Sequence, residues 1–173
     1  MCWGWECGKG WHNVLHEASC RLEALNLIYY PKYKVRIQAD QVKEKFGTLR
    51  FYFSVICEDE VRSSEQEVIM TAMESWADEI VRWAEDKCYN VCEECGFQIG
   101  TKYTPRCQTA GWITYICDRC AAKTNGFYFK DGAKWKGDKC IMTKEEVDAE
   151  RERREAEIEA KYKKEKEENE DKD

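Results

Sequence analysis

Four cysteines carry the clearest chemistry in this chain. Cys92 and Cys95 form one C-x-x-C pair, Cys117 and Cys120 form a second, and 21 residues separate Cys95 from Cys117. A C-x-x-C turn places two thiolates on one side of an ion. Two such pairs complete a tetrahedron of soft ligands at about 2.3 Å from the metal, the coordination that structural Zn2+ takes. Gly96, directly after the first pair, permits the tight backbone turn that follows it. Trp112 to Ile116 can return as a strand to present the second pair. The spacer is slightly longer than the roughly 15 to 20 residues common in zinc ribbons, and a longer loop between Lys102 and Gly111 absorbs the excess. Four protein ligands leave no open coordination position, so one structural Zn2+ is expected rather than a catalytic ion. Cys88 and Cys107 lie nearby and are the rival ligands.

A second grouping, Cys7, His12, His16 and Cys20, reads C-x4-H-x3-H-x3-C, with the histidines one helical turn apart. That spacing is generic. The competing account is a partly exposed helix carrying two ordinary histidines and buried cysteines.

Two basic stretches offer anion chemistry. Residues 32–50 hold six Lys/Arg against Asp40 and Glu44. On alternating strands Lys43, Lys45 and Arg50 project from one face together with Tyr52, which suits a phosphate with an attached base. The competing account is a solvated outer sheet face whose charges block edge pairing. Residues 102–139 hold eight Lys/Arg against three Asp, interleaved with aromatic residues. Lys102, Arg106, Trp112, Arg119 and Lys123 make this a candidate nucleic-acid or partner patch, because basic stripes with stacking rings bind nucleic acid. A small ribbon also needs aromatic side chains simply to cover its metal.

Catalysis finds little support. The chain has no Gly-rich phosphate loop, no G-x-S-x-G and no H-E-x-x-H. His16-Glu17-Ala18 lacks the H-x-E order of the zinc deaminases. Glu44, alone between lysines, is the one carboxylate placed to act as a base, with nothing evident converging on it.

The elements that must hold these groups follow from periodicity. Val14, Leu15, Ala18, Leu22, Leu25 and Leu27 predict a helix over residues 11–27, ended by Tyr29-Tyr30-Pro31. Residues 34–39 and 41–55 alternate with period two, and Gly47 marks a hairpin turn, so two or three antiparallel strands are expected. Ser64 and Glu67 form a predicted capping box. Ile69, Met73, Trp76, Ile80 and Trp83 then make a stripe that should lie on the Leu49/Phe51/Phe53 face. The outer side of that helix is acidic. From Thr143 onward, with Glu146 as a capping partner, a charged and solvated single helix frays into disorder.

At 173 residues the chain suffices for one ordinary domain plus a small module. Residues 143–173 hold 14 of the 34 acidic and 9 of the 28 basic residues, so the net charge of −6 describes the tail more than the body. No apolar run reaches the 18 residues of a membrane-crossing helix. The N-terminus lacks the basic region and apolar run of a secretory signal. Eleven cysteines, an odd count that includes two C-x-x-C pairs, fit a reducing cytoplasm with bound metal better than a disulfide framework.

The run Gln41-Val42-Lys43-Glu44-Lys45-Phe46-Gly47-Thr48-Leu49-Arg50-Phe51-Tyr52 resembles the signature of a family of small uncharacterised bacteriophage and prophage proteins. Cys7-Gly8-Lys9-Gly10-Trp11, the Cys20/Leu22 pair, Cys92-Glu93-Glu94-Cys95-Gly96, and Gly111-Trp112-Ile113 through Cys117-Asp118 are similar to the same family. The likeness covers residues 5–122 and leaves 123–173 outside. Related proteins often carry His where this chain has Cys120, an exchange that zinc ligand positions tolerate. His12 and His16 do not match. The resemblance implies a protein made in an infected or lysogenic bacterium, where such accessory proteins modify host machinery or blunt host defence.

Together these readings predict an α+β fold. A small antiparallel sheet packed by helices occupies residues 1–90, a zinc ribbon 91–142, and a charged helical or disordered tail 143–173. The expected function is that of a non-enzymatic, zinc-containing binding protein in the bacterial cytoplasm, engaging a host protein or a nucleotide-like ligand in counter-defence. The alternatives are a zinc-ribbon accessory factor binding nucleic acid or the transcription apparatus, and an enzyme acting on a nucleotide signal through Lys43, Lys45 and Arg50.

Overall fold

Alternating residues over 35–57 and a helical stripe over 66–88 meet in one core. The computed structural model describes residues 4–170, with side chains described through residue 166. Strand β2 (Val35–Lys45) pairs antiparallel with β3 (Thr48–Cys57), with Lys45 opposite Thr48. Phe46 and Gly47 make the turn at φ of 53° and 74°. Positive φ at both central positions is the type I′ geometry, whose twist matches the flanking strands. Glycine adopts it freely, whereas a residue with a Cβ gives up about 1–2 kcal/mol there. Val35, Ile37, Val42, Leu49 and Phe51 point inward and are buried. The register shifts between Ala39 and Gln41, so odd residues face the core before this bulge and even residues after it.

The sheet is mixed rather than purely antiparallel. A two-residue strand β1 (Trp5–Glu6) pairs parallel with β2 on the edge opposite β3. Helix α1 (His12–Tyr33) is the crossover that parallel pairing requires. A strand of two residues has no period to read.

Helix α1 also runs past Pro31, beyond its predicted end. Pro31 removes only its own N–H, whose partner would be the Leu27 carbonyl. Leu27 is 70% exposed, so water can satisfy that oxygen. The helix ends at Lys34, at φ 56°, whose N–H bonds the Tyr30 carbonyl at 3.0 Å. Leu15, Ala18 and Leu22 form its buried stripe. Asn26 ties α1 to β2 by pairing with both the N–H and the carbonyl of Ile37, at 2.7 and 3.0 Å.

Helix α2 (Ser64–Tyr89) begins one residue earlier than predicted. Its capping box is Ser63 with Gln66, not Ser64 with Glu67. The Gln66 Oε1 accepts from the Ser63 N–H at 2.8 Å. Its amide donates to the Tyr33 carbonyl at 2.9 Å and to Asp59 at 2.6 Å. A carboxylate cannot donate, and Gln66 is only 8% exposed. The buried face is also rotated from the expected stripe: Met73, Ala77, Val81, Ala84 and Cys88 are buried. Ile69, Ile80 and Trp83 pack at its rim. Trp76 lies outside it and stacks on Tyr29 at 5.5 Å between ring centres. The small Ala77 and Ala84 allow close approach, whereas the tryptophans fit only at the edge. Both long helices lie on the inner face of the β1–β2–β3 sheet, and among the described residues no element covers its outer face.

A second hydrophobic cluster is built from Ile99, Cys107, Ile116, Ala121 and Tyr128. Around it runs an antiparallel sheet in the order β5-β4-β6-β7-β8. Its strands are β4 (Arg106–Thr109), β5 (Tyr115–Cys117), β6 (Tyr128–Lys130), β7 (Ala133–Lys136) and β8 (Lys139–Met142). A single turn of helix, α3 (Asp118–Ala121), follows β5. The Thr143/Glu146 capping pair forms, and helix α4 (Lys144–Glu170) follows it. The base of α4 rests on β7 and β8. The predicted tail extends to residues 171–173, which lie outside the described residues. Among the described residues no helix is long and apolar enough to cross a membrane.

Ser63→Ala is expected to destabilise the fold by about 1 kcal/mol. Gln66→Glu, which removes two donors from a buried position, should cost about 1–3 kcal/mol. Both would appear as a lower urea midpoint at constant m-value.

Candidate metal centre

Four thiols converge where the second cluster meets the end of α2. Cys92, Cys95, Cys117 and Cys120 place their sulfurs within 4.8 Å of one another, and can hold a metal ion. Cys95 Sγ and Cys117 Sγ are 3.7 Å apart. A tetrahedron with metal–sulfur bonds of about 2.3 Å has edges of about 3.8 Å, so this spacing fits the ion without rearrangement.

Backbone hydrogen bonds shape each half of the cage. In the first turn the Cys92 N–H bonds the Phe97 carbonyl at 2.7 Å, and the Gly96 N–H bonds the Cys92 carbonyl at 2.9 Å. Gly96 sits at φ 76°, the conformation glycine adopts without strain. In the second half, β5 delivers Cys117 and α3 carries Cys120. The Glu93 N–H bonds the Tyr115 carbonyl at 3.2 Å and joins the two halves. Cys92 and Cys117 are buried, Cys120 is half-buried and Cys95 is exposed. Burial pushes the thiols of Cys92 and Cys120 up. At Cys95 desolvation acts in the same direction, but the Phe97 backbone and the neighbouring thiols outweigh it and the thiol lies low. A bound cation would draw all four to the thiolate form.

The rival ligands stand apart. Cys107 is buried on β4 opposite Ile116, and burial pushes its thiol up to about 12. Cys88 belongs to the first core and is likewise pushed to about 12, by burial and then by Cys7 and Glu93. The N-terminal quartet does not converge either. The four clustered cysteines are the one such group among the described residues. His12 packs edge-on against Trp5 at 5.4 Å, and His16 Nδ1 lies 3.8 Å from Cys20 Sγ. Cys7 is instead packed against the first core.

Residues 7–11 clamp the first cysteine turn instead of binding metal themselves. The Gly10 N–H donates to the Glu93 carbonyl at 2.7 Å, the Gly8 N–H to Glu93 Oε1 at 3.1 Å, and the Trp11 indole to the Val91 carbonyl at 3.1 Å. A Cβ on Gly10 would lie 2.1 Å from the Cys92 carbonyl, so only glycine fits. Glu93 is 5% exposed, and its Oε2 has no partner among the described residues. Burial pushes its carboxyl up to about 7 against the opposing pull of the Gly8 N–H, with Glu44 and Glu94 adding to the rise. Two glycines spaced before a tryptophan are the signal in the sequence, but nothing local names their distant partner.

A second clamp is the hairpin tip. Glu44, the one carboxylate placed by the sequence to act as a base, accepts from the Trp112 indole at 2.8 Å and from the Gly47 N–H at 2.5 Å. A Cβ on Gly47 would meet the Tyr115 ring at 2.5 Å. Glu44 therefore holds the tip against the segment that leads to Cys117.

The predicted hairpin group comes together. Lys43 pairs with Arg50 across the strands, Lys45 is two residues along, and Lys43 Nζ lies 5.5 Å from the Tyr52 ring centre. Of the predicted patch over 102–139, Lys102 and Arg106 line one groove. Arg106 stacks on Tyr89 at 3.6 Å and donates to the Tyr89 carbonyl and to Asn90 Oδ1, at 2.8 and 3.1 Å. Lys102 lines an open groove beside it, with Lys130, Asp118 and Asp131. Arg119 lies over Phe97 at 5.9 Å, and Lys123 lines a separate groove next to Cys120. Trp112 belongs to the hairpin tip. No protein-family model, curated protein or solved structure matches the chain.

Elemental analysis of the pure protein should return about one transition-metal ion per chain. Cys92→Ser should lose it, whereas Cys88→Ser and Cys107→Ser keep it. Gly10→Ala should lower both thermal stability and metal retention, because the added methyl group displaces the Cys92 backbone. Retention of full metal affinity by Gly10→Ala would separate the clamp from the cage.

Proposed function

We propose that this chain is a non-enzymatic binding protein, stapled by one structural Zn2+, that takes a phosphate-bearing, nucleotide-like ligand on the outer face of the β1–β2–β3 sheet. The zinc reading rests on the donor set. Four thiolates at tetrahedral spacing suit a soft ion and leave no position for substrate. The binding reading rests on one observation. Lys43, Lys45 and Arg50 share an uncovered sheet face and form no ion pair among the described residues. The acids on that face are engaged: Glu6 accepts from Gln41 at 3.0 Å, and Asp40 from Ser54 at 2.5 Å. Three unpaired cations held together repel one another, and an anion relieves that repulsion.

The resemblance of residues 41–52 to phage and prophage proteins supplies the setting of an infected or lysogenic bacterium. There, holding a host nucleotide or nucleic acid would blunt a response that depends on it.

Heparin chromatography tests the face directly. The wild type should be retained and should elute at higher salt than Lys43→Ala/Arg50→Ala, with both proteins melting at the same temperature. Equal elution would remove the hairpin from consideration as the anion site.

A further inference from the structure

Resting on that reading of the outer face, we propose that its ligand is single-stranded nucleic acid, with Phe46 and Tyr52 stacking on bases while Lys43, Lys45 and Arg50 hold phosphates between them.

Phe46 is the observation that carries this furthest. It occupies the first central position of a type I′ turn, where Asn or Asp before Gly is the favoured choice. It adopts φ 53°, which its Cβ disfavours, and it is 68% exposed, so its ring gains little from burial. Folding stability alone would select asparagine here. An outlier that folding does not explain points to recognition. A stacking partner for a base needs what Phe46 presents: an aromatic face open to solvent on a fixed backbone.

Along this face the cations lie between two rings. Lys45 Nζ lies 5.7 Å from the Phe46 ring centre, Lys43 Nζ lies 5.5 Å from that of Tyr52, and Arg50 stands opposite Lys43 between the two pairs. At the tip, on Glu44's side of the hairpin, stands Trp112. It is 77% exposed, and Glu44 fixes its indole N–H at 2.8 Å.

Spacing separates a strand from a mononucleotide. Gly47 and Tyr52 are five residues apart in sequence, about 17 Å at about 3.3 Å per residue. Stacked nucleotides rise about 3.4 Å each, so the two ends of the site lie about five nucleotides apart. One nucleotide reaches only one end. Paired bases hide their faces inside the duplex, so the rings require an unpaired strand. Most of the protein's acids lie on α2 and α4, and on this face the three cations outnumber Glu6 and Asp40.

Fluorescence anisotropy of the full-length protein with labelled oligo(dT) and oligo(U) tests the proposal. Affinity should rise with length from two to about eight nucleotides and exceed that for the matching duplex. Three phosphate contacts predict a slope of log K against log salt of about −2. Phe46→Asn should weaken oligonucleotide binding about tenfold while matching or raising the melting temperature, which a structural role for Phe46 would not allow. Tyr52→Ala should weaken it by a similar factor. The oligo(dT) and oligo(U) arms distinguish DNA from RNA as the source. If inorganic polyphosphate binds as tightly as an oligonucleotide of equal charge, or if Phe46→Asn leaves oligonucleotide affinity unchanged, the stacking site is overturned while anion binding stands. If the duplex binds better than the single strand, the proposal also fails. If no polyanion binds, the broader reading fails with it.

Discussion

Gly10 donates its backbone N–H to Glu93 while Cys92, the residue before Glu93, faces the thiol cage. One strip of chain, Val91 to Gly96, therefore serves two neighbours. Its thiols belong to the four-cysteine cage, and its carbonyls receive Gly10 and the Trp11 indole. Trp11 is fully buried in the first core, so this strip connects that core to the cage. The contact tolerates no side chain at Gly10 or at Gly8. The start of α1 and the four-cysteine cage are thereby joined through close backbone contact, with the Glu93 carboxylate and the Trp11 indole beside it.

The hairpin tip makes the second connection, and it works by satisfying polar groups. The Gly47 N–H and the Trp112 indole both end on Glu44, whose carboxylate is thereby committed to the tip rather than to the lysines on either side of it. Such charge-assisted bonds are about twice as strong as neutral ones. They fix the tip against the segment that leads to β5. The alternation of the strand puts this carboxylate on the face opposite Lys43 and Lys45, so the residue that reads in the sequence as an isolated base acts at the tip and not beside them.

Charge is sorted by element. Residues 58–87 and the α4 segment carry the acidic surplus, and the outer hairpin face carries cations. At physiological salt the Debye length is about 8 Å, so a face separated from the acids by a layer of packed helix is largely screened from them. A negative net charge and a local anion site coexist on those terms. The sheet of the second cluster differs, since α4 rests on β7 and β8, and Lys134 and Lys136 lie over Phe127.

Local spacing alone determined the four cysteines, the period-two strands, the Gly47 turn and the Thr143/Glu146 cap. Each of these depends on residues within a few positions of one another, where backbone geometry fixes who meets whom. What only the tertiary structure decided involves partners far apart in sequence. Gln66 displaced Glu67 as the capping residue because its amide also reaches the Tyr33 carbonyl. Ala77 and Ala84, not the tryptophans, faced the sheet because close approach favours small residues. The glycines at 8 and 10 proved to serve Cys92 and Glu93, and Arg106 of the basic run over 102–139 stacks on Tyr89, at the end of a helix that the local sequence does not name as its partner. Cys7, His12, His16 and Cys20 had a metal-like spacing, but spacing cannot say which residues a helix turns toward the core.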